Sequence, residues 1–274
     1  MAATDHPVTT CSCGAYVVVE RSDTVASIDP RFHALVTCGT CDRQMIDHRM
    51  DIAPPGFLDA VEAYHRAYYS ETVEQKGAEF IEAARYRLDS APNVVAKALF
   101  KDVVGNLGSP RILDFGCGAG TAARFLAQEG IGVKEYVGLD ISDAYLKAAD
   151  RDYPFPAKLR RLSSFDLEAN GYDFGAEADV FLALMVFSHL PHRHVLGIIK
   201  RLAEMRVGHL VLQDFIPEKG TSAGRFLMLN ETFPLFVHDL LTILEQHSFA
   251  VRRIERTLPL YGGANWRVPH AVRT

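Results

Sequence analysis

From Arg111 to the end of the chain, short apolar runs alternate with amphipathic stretches. Arg111-Ile112-Leu113-Asp114-Phe115 reads as a buried strand that ends at glycine. Thr121 to Gln128 is helix-like and stops at Gly130, and Tyr136-Val137-Gly138-Leu139-Asp140 is the next strand. Ser142 and Asp143 are plausible caps for a helix through Ala149. Leu159 to Leu162 suggests a third strand. The unbroken apolar run Val180 to Phe187 suggests a fourth, covered on both faces. Val195, Ile198, Ile199 and Leu202 have the i, i+3, i+4, i+7 spacing of a helix with one buried face, and Val237, Leu240, Leu241 and Leu244 repeat it. Leu210-Val211-Leu212, Val251 to Ile254 and Trp266 to Val272 supply the remaining strands. Strand–helix alternation of this length predicts an α/β doubly wound sheet, with ligands at the carboxyl ends of its strands.

The earlier part of the chain reads differently. Residues 1–55 hold short β-rich runs, four cysteines and a closing Pro54-Pro55-Gly56, whereas residues 57–108 read as helices with a stop at Gly105, Gly108 and Pro110. Three parts are expected: 1–55, a helical linker or lid over 56–108, and the α/β domain over 109–274. A length of 274 residues, with 48% hydrophobic and 23% charged, fits a globular protein of one large domain, or of one domain plus an accessory unit. Asp5, His6, Cys11 and Cys13 interrupt the first 20 residues, so no secretory signal of the usual form is expected, and no apolar run approaches membrane-spanning length. The expectation is a cytoplasmic protein without a membrane partner. The oligomeric state is left open by the sequence.

Within the α/β part, Asp114-Phe115-Gly116-Cys117-Gly118-Ala119-Gly120 joins an apolar strand to a helix. Glycines at alternate positions permit a sharp turn and close backbone approach to a ligand. The spacing is neither that of a dinucleotide fold nor that of a phosphate-cradling loop with Lys-Ser/Thr. Asp114 would sit badly against a pyrophosphate and well against a ligand ammonium. Asp140, at the end of the second strand, could accept from both hydroxyls of a ribose, and Asp166, ending the third strand region, from an adenine amine. A bland reading also exists, in which the glycines only make a tight turn. Cys117 fits the turn as a small packing residue.

On these residues, with Val137-Gly138-Leu139-Asp140-Ile141-Ser142, Phe165-Asp166 and Ala178-Asp179-Val180-Phe181-Leu182-Ala183, residues 111–257 resemble a class I S-adenosylmethionine-dependent methyltransferase. The resemblance implies a Rossmann-like, seven-stranded sheet and S-adenosylmethionine as cofactor. It places the cofactor's methionine part on Asp114, Gly116, Cys117, Gly118 and Gly120. Its ribose would lie on Asp140, its adenine on Ile141 and Asp166, and its sulfonium near Leu184 and Met185.

Cys11-Ser12-Cys13-Gly14 and Cys38-Gly39-Thr40-Cys41 flank Tyr16 to Glu20 and Ala34 to Thr37. Two cysteine turns beside short β runs have the layout of a zinc ribbon, and four thiolates close a structural site. The pattern is similar to that of small diphthamide-biosynthesis zinc-ribbon proteins. Disulfides and free thiols are the alternatives. His6, His33 and His48 are surface residues on this reading, since four cysteines suffice.

Charge bears on the substrate. The chain carries a formal −5, and its first 55 residues hold four arginines against seven carboxylates. A phosphate-binding ribbon would have the opposite sign. Ala63-Tyr64-His65-Arg66-Ala67-Tyr68-Tyr69 looks like the tyrosine-rich helix that follows the ribbon in natural-product and sugar methyltransferases. A small-molecule acceptor is therefore expected, and nucleic acid is not. A nucleobase or protein methyltransferase that uses the ribbon for recognition is the competing reading, supported by the mostly basic stretch from Arg252 to Arg273; a non-catalytic cofactor-binding module is another.

For an acceptor hydroxyl or acidic carbon, a base titrating near neutrality helps. Ser188-His189-Leu190-Pro191-His192 follows the fourth strand, so His189 is the first candidate base and His192 the second. Local packing or capping by His189 is the alternative. Tyr64, Tyr68, Tyr69 and His238 are candidate substrate contacts, with core or interface packing equally open to the tyrosines.

Overall fold

The computed structural model describes residues 8–10, 16–18, 20–21, 34–37, 44–46, 63–84, 94–151, 155, 157–162, 164–215, 225–229, 233–256 and 266–274. Its strands are β1 (Val8–Thr10), β2 (Tyr16–Val18), β3 (Glu20–Arg21), β4 (Ala34–Thr37) and β5 (Gln44–Ile46). The α/β part contributes β6 (Arg111–Phe115), β7 (Glu135–Asp140), β8 (Ala157–Arg161), β9 (Val180–Leu184) and β10 (His209–Phe215). β11 (Arg225–Leu229), β12 (Phe233–Val237), β13 (Phe249–Arg256) and β14 (Trp266–Arg273) follow.

Seven strands form one sheet in the order β13-β14-β10-β9-β6-β7-β8. Pairs among β6 to β10 are parallel, and β14 runs antiparallel to both β10 and β13. This is the expected Rossmann-like sheet. Its strands read as apolar runs because both faces are covered. Leu113, Phe115, Phe181 and Leu212 join one core with Val195, Ile198, Ile199, Leu202, Leu240 and Leu244. Ile112, Tyr136, Leu182 and Val211 join another with Leu99, Phe100, Phe125 and Leu126. Alternate residues of each strand thus feed opposite layers.

The helices largely follow the pattern. Thr121–Gln128 is one, and Ser142 caps the next, Asp143–Asp150, by accepting from the Tyr145 amide. His192–Glu204 carries the buried stripe of Val195, Ile198, Ile199 and Leu202. Three expectations change. The fourth strand stops at Leu184, since Met185 takes φ 63° and the chain then enters a 3₁₀ turn, Phe187–His189. Val237 ends a strand; the last helix starts at Leu240, capped by Asp239. The third strand ends at Arg161, and Asp166 lies within a short helix, Ser164–Ala169.

A second sheet has the order β12-β11-β5-β4-β3. β5 pairs antiparallel with β11, placing Ile46 opposite Phe226 and Met45 opposite Leu227. Backbone hydrogen bonds thus join the early strands to a hairpin inserted between β10 and the last helix.

Candidate active site

Between β6 and β9 the chain's course through the sheet reverses, which is where open α/β sheets bind ligands. The glycine turn leaves β6 at this point. Gly116, Gly118 and Gly120 have φ of 76°, 54° and 77°, in the left-handed region that side chains disfavour. Gly116 is also sterically constrained, since a Cβ there would stand 2.3 Å from Val186 Cγ2. At Gly118 a Cβ would meet nothing within 4 Å among the described residues. The Gly116 and Cys117 amides both donate to the Leu139 carbonyl, at 2.7 and 3.0 Å, tying the turn to β7.

Asp140 lies at the end of β7, beside the turn. Its Oδ2 accepts from the Gly118 amide and its Oδ1 from the Ser142 amide, each at 2.8 Å. Two charge-assisted bonds fix the carboxylate beside the turn. Ile141, half-buried, follows directly.

Asp114 is 2% exposed and accepts from the Tyr136 hydroxyl. Burial raises its pKa to about 7, against the lowering effect of that hydrogen bond, and the nearby Asp140 adds to the rise. Cys117 is buried, its thiol pKa pushed well up by burial and the same two aspartates. Such a thiol is inert as a nucleophile.

Leu184 ends β9, half-buried, and the Met185 amide donates to the Gln213 carbonyl at 2.6 Å. Met185 at positive φ is unusual for a non-glycine residue and marks a constrained bend beside the glycine turn. The Asp166 side chain lies outside the described residues, as do Cys11, Cys13, Cys38 and Cys41. Among the described residues, no group of three or more His, Cys, Asp or Glu is placed to hold a metal ion.

Beyond Met185 the 3₁₀ turn carries His189. The Ser188 amide donates to Asp214 Oδ2 at 3.0 Å, anchoring the turn to β10. A helical segment, 63–75, packs against the turn. It contains a π-helical stretch, Tyr68–Thr72, in which the Val73 amide bonds to the Tyr68 carbonyl. The Tyr69 hydroxyl lies 3.2 Å from His189 Nε2. The His65 ring, 4% exposed, has its centroid 5.0 Å from that of His189. Tyr64 stacks edge-on against His65, and Tyr68 receives a hydrogen bond from Lys76. Burial raises the Tyr64 pKa, and the neighbouring Tyr68 adds to this.

His192 begins the following helix, and its Nδ1 is 3.4 Å from Nδ1 of His238. His238 is 1% exposed, with Nε2 at 2.9 and 3.0 Å from the Phe187 and Leu190 carbonyls. His189, Tyr69 and His65 thus form one group at the carboxyl edge of the sheet, and His192 and His238 a second beneath the same turn. His65, Val186, Gln213 and Asp214 escaped the sequence reading. For Asp214 a signal existed: two polar residues, Gln213 and Asp214, close an otherwise apolar strand end at a ligand-binding edge.

Residues 112–206, about a third of the chain, match a family model described as a methyltransferase domain. No curated protein matches the chain. Among solved structures, it is similar to magnesium protoporphyrin IX methyltransferase from Synechocystis PCC 6803 with bound S-adenosylmethionine. Identity is 21% and TM-score 0.54, over 78% of this chain and 97% of that one. A 1,6-didemethyltoxoflavin N1-methyltransferase from Burkholderia thailandensis, with its substrate and S-adenosylhomocysteine bound, aligns at 17% identity and TM-score 0.57. That alignment covers 85% of this chain and 96% of the other. An N-methyltransferase from Bradyrhizobium japonicum WM9 with S-adenosylhomocysteine aligns at 14% identity and TM-score 0.51, over 69% and 91%. At these identities the shared property is the fold. No helix among the described residues is long and apolar enough to cross a membrane.

Proposed function

From the premise that residues 112–206 form the methyltransferase domain of an enzyme, we propose that this chain transfers the methyl group of S-adenosylmethionine to a small-molecule acceptor in the cytoplasm. One observation carries the cofactor reading: the left-handed turn at Gly118, bonded through its amide to the Asp140 carboxylate. The left-handed turn and the carboxylate beside it suit a ribose on Asp140, with the glycine turn holding the methionine part. Asp114 would meet the ligand ammonium, and Leu184 and Met185 would line the region near the sulfur. When bound, the cofactor supplies a methyl group on an electrophilic sulfonium.

The protein's part is to hold the acceptor in line and to take up its proton where one is lost. His189 is the proposed base. The Tyr69 hydroxyl, 3.2 Å from Nε2, can orient the ring or pass on a proton. Tyr64, Tyr68 and Tyr69 close the substrate side as a lid. Acidic charge on residues 1–55 supports a small molecule over nucleic acid as acceptor. We further propose that Cys11, Cys13, Cys38 and Cys41 hold one structural zinc ion, in a ribbon that precedes the helical lid and the methyltransferase domain.

Calorimetry with S-adenosylhomocysteine tests the cofactor assignment. Wild-type protein should bind, and Asp140→Ala should bind at least about tenfold more weakly, the loss of one charge-assisted contact. Wild-type affinity in the variant would sink the assignment.

A further inference from the structure

His238 is 1% exposed, and it touches the turn on which the proposed chemistry depends. Its Nε2 faces two backbone carbonyls, those of Phe187 and Leu190, which can only accept. Nε2 therefore carries the proton. Burial, and secondarily the neighbouring His192, lowers the His238 pKa to about 3, so the ring is neutral and its Nδ1 holds a lone pair. Nδ1 of His192 points at that lone pair and must donate. His192, whose own pKa burial lowers, is then the tautomer with its proton on Nδ1 and a lone pair on Nε2.

We propose that His238 is a positioning residue: by donating to the Phe187 and Leu190 carbonyls it pins the turn that carries His189, and through Nδ1 it fixes the tautomer of His192. The proposal rests on reading that turn as the catalytic edge. The pin has a second attachment. His238 follows directly on β12, which packs against the turn and pairs with β11. Because β11 pairs with β5, the turn is tied through one imidazole to a sheet that begins in the first 50 residues.

Imidazole ¹⁵N spectra and amide hydrogen exchange on the full chain test this without a known acceptor. Wild-type His192 should show a protonated Nδ1 and an unprotonated Nε2. In His238→Phe, which keeps a ring and loses the donor, His192 should leave that tautomer. Exchange at the His189 and Leu190 amides should rise by about tenfold or more. His238→Gln, whose amide can donate to the same carbonyls, should keep exchange within about threefold of wild type. Unchanged S-adenosylhomocysteine affinity in both variants shows that the glycine turn is intact. If the Phe variant does not fold, the wild-type tautomer and the Gln variant decide the matter. A wild-type His192 protonated on Nε2 overturns the proposal, as do equal exchange rates in a folded His238→Phe or a loss of protection in His238→Gln. A fully active His189→Ala would remove the proposed base while leaving these measurements standing.

Discussion

Asp114 offers the sharpest quantitative test, because its environment opposes its charge. The carboxyl is 2% exposed, and its pKa rises from 3.8 to about 7, first through burial and then through Asp140. A raised native pKa means that the folded chain binds more protons than the unfolded one between those two values. Stability therefore falls as pH rises through that window. At about 1.4 kcal/mol per unit the full ceiling is about 4 kcal/mol, of which about 3 kcal/mol lies above pH 5. Asp114→Asn keeps the shape, and an amide oxygen for the Tyr136 hydroxyl, but cannot ionise. Urea unfolding at pH 5 and pH 8.5 should show the variant gaining about 2 to 3 kcal/mol on wild type across that interval. The ligand ammonium assigned to this carboxylate adds a second arm. Cofactor-product affinity should fall toward pH 6 in wild type, by up to about tenfold per unit below pH 7, and be weaker and flat with pH in the variant. Parallel stability profiles for the two proteins would refute the burial argument. A wild-type affinity that does not change with pH would refute the ammonium contact.

Three other outcomes are expected. Gly116→Ala combines a positive φ with a Cβ 2.3 Å from Val186 Cγ2, and should cost about 2 kcal/mol or more by thermal unfolding. Pairing it with Val186→Ala should recover part of that loss, and strict additivity would argue against the contact. His189→Ala should lower turnover by about a hundredfold or more with any acceptor that supports it, and leave calorimetric cofactor affinity unchanged; unimpaired turnover removes His189 from the mechanism. Metal analysis of the purified chain should give one zinc, lost on replacing Cys38 and Cys41, and a metal-free folded protein contradicts the ribbon.

The α/β frame was legible because its signals are local and strong. Leu113-Asp114-Phe115 followed by glycine, the Ser142 cap and the stripe from Val195 to Leu202 each need only neighbouring residues to be read. Misreadings arose where tertiary context decides. Val186 and Phe187 continue an apolar run in sequence, but the left-handed Met185 turns the chain out of the strand before them. Val237 fits a helical stripe and pairs with Arg225 instead. The π-helical stretch at Tyr68–Thr72 has no periodic signature, so the approach of Tyr69 and His65 to His189 could not be read from spacing. Nor could the His192–His238 pair, whose members lie 46 residues apart.

The pairing of β5 with β11 has a consequence for biosynthesis. Met45 and Leu227 face each other across about 180 residues of chain. Closing so long a loop adds little to the equilibrium cost, since each doubling of length is worth only about 0.6 kcal/mol. Its effect is on order and time. At ribosomal rates of roughly 5 to 20 residues per second, β11 emerges roughly 10 to 40 s after β5. Throughout that interval β5, already paired with β4 on one side, keeps a free hydrogen-bonding edge on the other. A second nascent chain can meet that edge before its own partner strand is made, so aggregation during synthesis should begin there and not in the methyltransferase sheet.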